Sequence, residues 1–165
     1  WNKPADAFWT RIFEHCGTDE NRIFPVQTVA DGVTLRAYFN AGLLVVRPQQ
    51  GLLAAWRDAF DTARTDPAYA PFYDQHVLYR IFLHQAVLAG VIMRKLDAAE
   101  VHDYPSTINY PLNLHDDHPA KGRATALNDL ITCRHDLFFR EPDWETKLPA
   151  HGELRTWIVE QFRAE

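Results

Sequence analysis

Apolar residues recur at helical spacing in several stretches of the chain. Near the start, Asn2 is a candidate N-cap and Gly17 a candidate stop for a stripe made of Phe8, Trp9, Ile12, Phe13 and Cys16. A second amphipathic helix is predicted over residues 50–64. A third opens at Asp74, a good N-cap residue, and its predicted buried stripe is Val77, Leu78, Ile81, Phe82 and Leu88. A terminal helix is predicted from Leu154, Trp157, Ile158, Gln161 and Phe162.

Short apolar runs predict the strands. Residues 26–30 and 33–38 flank Asp31-Gly32, the pair that a type I′ hairpin turn requires. Residues 43–46 form an unbroken apolar run that ends before Pro48, which is typical of a strand buried on both faces. Residues 91–93 and 130–133 are further candidate strands. The pattern therefore predicts an α/β fold, with a mixed α+β organisation as the alternative, in which a short mixed sheet is flanked by helices.

Composition and charge narrow the class of protein. The 165 residues are 47% hydrophobic, which fits one globular domain with a real core. The net charge of −5 gives no electrostatic footprint for nucleic acid. No apolar run approaches the roughly 18 residues of an integral membrane segment. The two distant cysteines form no disulfide framework, so we expect a soluble, cytoplasmic protein.

Polar residues at the predicted element ends are the candidates for chemistry. Asn40-Ala41-Gly42 precedes the run at 43–46, where small residues let backbone or a ligand come close and Gly42 can take a positive φ. Asp74-Gln75 opens a predicted helix, and its carboxylate has capping as an ordinary alternative role. An aromatic loop between them either lines a sugar site or covers the core: Tyr69, Phe72 and Tyr73.

The order of these motifs resembles that of a known enzyme family. Phe39-Asn40-Ala41-Gly42, Asp74-Gln75, Asn109-Tyr110 and a late His135, followed by Pro142 and Trp144, occur in sequence. Over residues 35–145 the chain resembles the C-terminal, sugar- and acceptor-side half of a GT-A-fold nucleotide-diphospho-sugar glycosyltransferase. The nearest pattern is that of the glycogenin-like and lipopolysaccharide-galactosyltransferase-like retaining family.

The resemblance implies a role for each matching residue. Asp74 and Gln75 would be catalytic, with Asp74 on a sugar hydroxyl and Gln75 beside the reacting carbon. Substrate-binding roles would fall to Asn40, Ala41, Gly42, Asn109 and Tyr110. His135 would contact the metal or the diphosphate. Since ligands bind at strand and helix ends in open α/β sheets, we expect Asn40, Asp74 and Gln75 to converge on one cleft.

The resemblance also implies the substrates and the cofactor. A nucleotide sugar would be the donor, a glycan, lipid or protein the acceptor, and Mn²⁺ or Mg²⁺ the cofactor that stabilises the diphosphate leaving group. The family's Asp-x-Asp metal motif has no counterpart here, and Ile108 stands where that family has Trp. Phe138 and Glu141 likewise replace its Gly and Lys.

We therefore expect residues 1–165 to be one domain of a longer glycosyltransferase that lacks the N-terminal nucleotide-binding half. Because the metal carboxylates would belong to that missing half, we expect the chain alone to be inactive. A hydrophobic face left open by the missing half could drive self-association.

Two functions of other classes stay open. The run His115-Asp116-Asp117-His118 offers four possible ligands, so a metal-dependent hydrolase or oxygenase could use it together with His135 or His102. The other alternative is a non-catalytic carbohydrate-binding module that keeps the acceptor groove. Tight stoichiometric zinc or iron would favour the first alternative, and nucleotide-sugar binding separates an enzyme from the module.

Overall fold

The computed structural model describes residues 5–28, 32–116 and 123–163 and divides the chain into two packed units. Unit 1 comprises residues 1–27 and 33–102, and unit 2 comprises residues 28–32 and 103–165. Helices and strands are both present, which confirms the predicted mixed α/β class. That residues 1–165 form one domain of a longer protein stays a prediction.

Unit 1 is mainly helical, and its strands form one antiparallel pair among the described residues. In chain order its elements are α1 (Ala7–Cys16), β1 (Pro25–Gln27), β2 (Thr34–Arg36), α2 (Leu52–Ala63), α3 (Ala70–Gln75), α4 (Val77–Ile81) and α5 (Leu83–Lys95). Val26 of β1 lies opposite Leu35 of β2, which confirms the predicted hairpin. Asp31, predicted at its turn, lies outside the described residues.

Unit 2 contains shorter elements around a core of its own. They are β3 (Tyr110–Pro111), β4 (Cys133–Arg134), α6 (Trp144–Lys147) and α7 (Gly152–Phe162). β3 and β4 pair in parallel, with Tyr110 opposite Cys133. The buried cluster is formed by Leu112, Leu127, Phe138, Trp144, Leu148 and Ile158. In the parts of the chain that the structure describes, no helix is both long and apolar enough to cross a bilayer.

Helix α1 follows the predicted stripe. Its inward face is buried through Phe8, Ile12, Phe13 and Cys16. The N-cap is Asp6, whose carboxylate accepts a hydrogen bond from the Trp9 amide at 2.9 Å. Asn2, the predicted cap, lies outside the described residues. Gly17 ends the helix as predicted, with the left-handed φ of +65° that glycine adopts without steric cost.

Helix α5 is the centre of the unit 1 core. Ten of its residues are buried, from Leu83 to Met93 apart from His84. A helix that is apolar on every side belongs inside a protein, and α1 and α2 both pack on it. The Trp56 indole of α2 donates to the His84 carbonyl oxygen at 2.8 Å. The strand predicted at residues 91–93 was therefore wrong, because a short buried run has the same apolar pattern in a helix.

The strand predicted at residues 43–46 was also wrong. This segment is a loop in which Leu43 is 41% exposed and Val45 is 77% exposed. Leu44 and Val46 instead pack against the unit 1 core. Gly42 is not among the glycines with positive φ. The apolar run is explained by two side chains that anchor the loop rather than by burial of both faces.

Asp74 does not open a helix, contrary to the prediction. It is the penultimate residue of α3, and the next helix is capped by His76, whose Nδ1 accepts from the Leu78 amide at 3.1 Å. His76 has extended backbone, which interrupts the helical register between α3 and α4. As a result, the predicted buried stripe faces solvent at Val77, Leu78, Ile81 and Phe82.

In unit 2, two further predictions hold only in part. The run at 130–133 was predicted as a buried strand, but only Cys133–Arg134 is a strand and Ile131 is 71% exposed. Two residues of pairing with β3 bury little surface, which explains the exposure. The terminal helix is present as α7, where Ile158 is buried but Trp157 is 57% exposed.

The aromatic loop covers the core rather than a sugar site. Tyr69 is fully buried, and Phe72 and Tyr73 pack against the same cluster. The Tyr69 hydroxyl has no hydrogen-bond partner among the described residues, and burial raises its pKa.

Tyr69→Phe is expected to raise the unfolding free energy by about 1 kcal/mol, because it removes a buried hydroxyl that makes no hydrogen bond. Denaturant unfolding measures the change. Tyr38→Phe is the matched control, since the Tyr38 hydroxyl donates to Gln85 Oε1 at 2.7 Å. It should cost about 1 kcal/mol. If both variants lost stability equally, Tyr69 would have a partner in solution.

Candidate functional site

Asn40, Ala41 and Gly42 form a tight turn on the surface of unit 1. The Asn40 side-chain oxygen accepts a hydrogen bond from the Gly42 amide at 2.7 Å. This Asx-type contact fixes the Asn40 side chain, because its carbonyl is held by the turn. The exposed Asn40 amide keeps two N–H donors that can reach a sugar hydroxyl.

Asp74 and Gln75 lie at the last two positions of α3, and both are exposed. Neither side chain is needed as a cap, so the capping alternative for Asp74 is removed. A carboxylate near the C-terminus of a helix meets the negative end of the dipole, which makes this a poor place for Asp on stability grounds alone. Convergence of Asn40, Asp74 and Gln75 on one cleft stays a prediction.

A pocket of about 380 Å³ opens in unit 1, and residues that are close in sequence to both motifs line it. Six aromatic side chains line the pocket: Phe8, Trp9, Tyr38, His76, Tyr79 and Phe82. Tyr38 comes two residues before Asn40, and His76 directly follows Gln75. The two predicted sugar-binding segments therefore continue into the walls of one pocket.

The polar groups of this pocket are held by neighbours. The Tyr38 hydroxyl donates to the buried Gln85 of α5, and burial raises the Tyr38 pKa, so the hydroxyl stays protonated. The His76 Nδ1 accepts from the Leu78 amide, which leaves Nε2 as the protonated ring nitrogen in the neutral form. The pattern of the sequence did not predict this pocket, since the apolar stripes of α1 and α4 indicated only core.

In unit 2, Asn109 and Tyr110 lie at the start of β3. Asn109 has a φ of +55°, a strained conformation that Asn tolerates better than most residues. Its amide donates to Thr132 Oγ1 at 2.9 Å. Tyr110 is buried, and its hydroxyl is hydrogen-bonded to His115 Nδ1 at 2.7 Å and accepts from Arg123. The Arg123 guanidinium also lies over the Tyr110 ring. Because the Tyr110 hydroxyl already has two hydrogen-bond partners within this unit, it is not free to bind a substrate.

His115 is expected to make unit 2 sensitive to acid. Burial, with a smaller effect from the Arg123 charge, lowers the His115 pKa. The unfolded chain therefore takes up this proton near pH 6.5 while the folded chain does not, so stability is lost as pH falls through that value. Denaturant unfolding at pH 7 and pH 5 should show a larger loss for the native chain than for His115→Gln. If both proteins lost the same stability between pH 7 and pH 5, His115 would not be the source of the acid sensitivity.

His135 lies at the edge of the unit 2 core and is exposed. Its ring is 5.1 Å from that of Phe139 and 5.7 Å from that of Phe162, between centroids. Within residues 5–28, 32–116 and 123–163, no three His, Cys, Asp or Glu side chains are grouped to hold a metal ion. These residues alone do not fit Mn²⁺ or Mg²⁺. Asp117 and His118, half of the alternative ligand run, lie outside the described residues.

Comparison with known proteins identifies the family. The model of the Rhodobacterales glycosyltransferase domain matches residues 1–95, more than half of the chain. The chain belongs to this glycosyltransferase family. No curated protein and no solved structure gives a match.

The family match divides the predicted site residues. Asn40, Ala41, Gly42, Asp74 and Gln75 all fall within the glycosyltransferase domain. So do all the rings that line the pocket in unit 1. The remaining predicted residues, Asn109, Tyr110 and His135, lie beyond residue 95. Sugar transfer is thus the general chemistry of the family, and unit 1 carries the matched part of the site.

Proposed function

We propose that this chain contributes the sugar- and acceptor-side portion of a GT-A-type, nucleotide-diphospho-sugar glycosyltransferase. The observation that carries the proposal is that both motifs lie inside the family match and are each close in sequence to residues that line one pocket. Asn40 donates to a sugar hydroxyl and Asp74 accepts from another. Gln75 lies beside the reacting carbon. Asn109 and Tyr110 are assigned substrate-binding roles in which the Tyr110 hydroxyl, already bonded to His115 and Arg123, takes no part.

The chemistry explains why such groups are needed. Glycosyl transfer passes through a state with positive charge on the sugar ring. A carboxylate such as that of Asp74 stabilises this charge indirectly by its hydrogen bond to a hydroxyl, which strengthens as the hydroxyl becomes more acidic. An amide such as that of Gln75 places an oxygen dipole near the reacting carbon without forming a stable ion pair.

The proposal includes a metal ion, although the described residues contain no group of ligands that would hold it. When bound, Mn²⁺ or Mg²⁺ would supply the positive charge that stabilises the diphosphate leaving group. Its carboxylates are assigned to a nucleotide-binding half outside this chain, and His135 is assigned as an additional contact. The free thiols of Cys16 and Cys133 support a reducing, cytoplasmic location.

Donor turnover tests the function. The complete protein that carries this chain is incubated with a panel of nucleotide-diphospho sugars, with Mn²⁺ or with a chelator, and released nucleotide is measured. We expect consumption of one class of donor, lost with the chelator. Consumption of none would contradict the proposal.

The isolated 165-residue chain is the companion sample in the same assay. It should bind the donor weakly and release no nucleotide, because the metal carboxylates are assigned elsewhere. Turnover by the isolated chain would show that a complete active site lies within these residues.

A further inference from the structure

Helix α4 and Phe82, the residue that follows it, present a row of apolar side chains beside the aromatic pocket. Val77 is 59% exposed, Leu78 48%, Ile81 50% and Phe82 40%. Leu78 and Phe82 also line the pocket, so the apolar surface runs without interruption from the pocket onto the helix. Contiguous exposed apolar surface of this kind marks a binding site more often than it occurs by chance.

The pocket and its neighbouring motifs differ in polarity. Among the described residues, no Asp, Glu, Lys or Arg lines the pocket. Asn40, Asp74 and Gln75 do not line it either. A sugar ring brings several hydroxyls that each need a partner. The amide and carboxylate side chains at Asn40 and Asp74 suit those hydroxyls, whereas the pocket suits a group without them.

The polar and apolar parts follow one another along the chain. Asp74 and Gln75 end α3, and the apolar face begins two residues later at Val77. A ligand that spans this boundary has a hydroxylated head and a hydrocarbon tail. A second copy of the chain fits less well. Four half-exposed side chains present on the order of 400 Å², about half of the roughly 800 Å² that each partner buries in a standard interface.

We propose that the acceptor is an amphiphile whose alkyl chain lies in the aromatic pocket and along the exposed face of α4. This inference rests on the proposed function, because it places the hydroxylated head of the acceptor next to the donor sugar that Asp74 and Gln75 contact. The tail contributes binding energy, and the head presents the hydroxyl that receives the sugar. Among the lipid, glycan and protein acceptors that the resemblance allows, the structure favours a lipid-like one.

Binding of matched alkyl glycosides tests the proposal without any donor. The purified chain is titrated with methyl and with n-octyl β-D-glucopyranoside, below the micelle concentration of the latter, by isothermal titration calorimetry. Each buried methylene should strengthen binding roughly fourfold. We therefore expect octyl glucoside to bind at one site at least about tenfold more tightly than methyl glucoside. Equal affinities, or no binding of either, would overturn the proposal.

Substitutions on α4 test where the alkyl tail binds. Leu78→Ser and Val77→Ser, at exposed positions, should remove most of the octyl preference and leave the fold intact by circular dichroism. Leu53→Ser is the matched control, because Leu53 of α2 is 49% exposed but does not line the pocket. An octyl preference that survives in Leu78→Ser, or that is lost in Leu53→Ser, would contradict the assignment.

Sedimentation and donor turnover separate this inference from its rivals. If the chain is a dimer that octyl glucoside or Leu78→Ser dissociates, the α4 face is a self-association surface and the amphiphile proposal is wrong. Octyl binding in a protein that consumes no nucleotide sugar would leave the pocket assignment standing and remove the transferase function. Sugar transfer to alkyl-free acceptors as fast as to octyl acceptors would leave the transferase function standing and remove the assignment of the pocket to an alkyl chain.

Discussion

Asp74→Ala in the complete protein is expected to lower sugar-transfer turnover roughly 10- to 100-fold, the usual range for losing a hydrogen bond to a charged group. Stability should stay within about 0.5 kcal/mol, because Asp74 is exposed and caps no helix. The carboxylate also lies at the unfavourable end of the α3 dipole, so its removal relieves rather than adds strain. Turnover is measured at saturating donor and stability by denaturant unfolding.

Asp61→Ala is the matched control for this experiment. Asp61 is an exposed Asp on α2, and it forms a surface ion pair with Arg64 at 2.9 Å. Such pairs contribute little, so this variant should match the native protein in both turnover and stability. If Asp74→Ala keeps native turnover, or if it unfolds early, Asp74 has a structural role and the site assignment fails.

Gly90→Ala is expected to lower the unfolding free energy by about 2 kcal/mol, although alanine is the better helix former by about 1 kcal/mol. A Cβ at Gly90 would lie 2.7 Å from Cys16 Sγ and 2.9 Å from Cys16 Cβ. The Cys16 Cβ is fixed to its backbone, so α1 and α5 would have to move apart. Ile12, which contributes to the same seam, is fully buried. Denaturant unfolding gives the size of the loss.

A double-mutant cycle with Cys16→Ala shows whether the loss comes from this contact. Removing Sγ takes away the shorter of the two clashes, so Gly90→Ala should cost less in the Cys16→Ala background than in the native one. Additive losses would mean that Gly90 matters for another reason. The buried Cys16 thiol has its pKa raised to about 11, so it is un-ionised in these experiments at neutral pH.

Local signals predicted the elements that carry their own boundaries. Helix α1 has an apolar stripe closed by a glycine that adopts the left-handed conformation, and the β1–β2 pair was predicted from apolar runs on either side of the sequence Asp31-Gly32. Helices α2 and α7 follow from their periodicity in the same way. In each case a few neighbouring residues determine the backbone, so distant packing is not needed to locate the element.

The elements that were predicted wrongly are those whose structure depends on packing against distant parts of the chain. Residues 91–93 and 43–46 have the same short apolar pattern, yet the first lies in the C-terminal part of a buried helix and the second is a loop. A run of three or four apolar residues contains too little periodicity to distinguish these outcomes. The break at His76 was invisible too, because a histidine N-cap inside an apolar stripe has no strong sequence signal.

The candidate site was predictable only as separate segments. The motif order located Asn40 and Asp74, which the family match then included. The pocket depends on Tyr38, which follows β2, and on His76 and Phe82, which flank α4, and these residues come together only when the segments pack. A change of register at His76 turns Phe82 and Leu78 from the expected core onto the pocket rim.

A crystal structure of the complete protein with Mn²⁺ and an uncleavable nucleotide-diphospho-sugar analogue would show whether Asn40, Asp74 and Gln75 bind the donor sugar. We expect sugar hydroxyls within about 3.2 Å of the Asn40 and Asp74 side chains, with Gln75 next to the anomeric carbon. A sugar bound away from these residues, or Asn40 and Asp74 on opposite faces of the protein, would contradict this expectation.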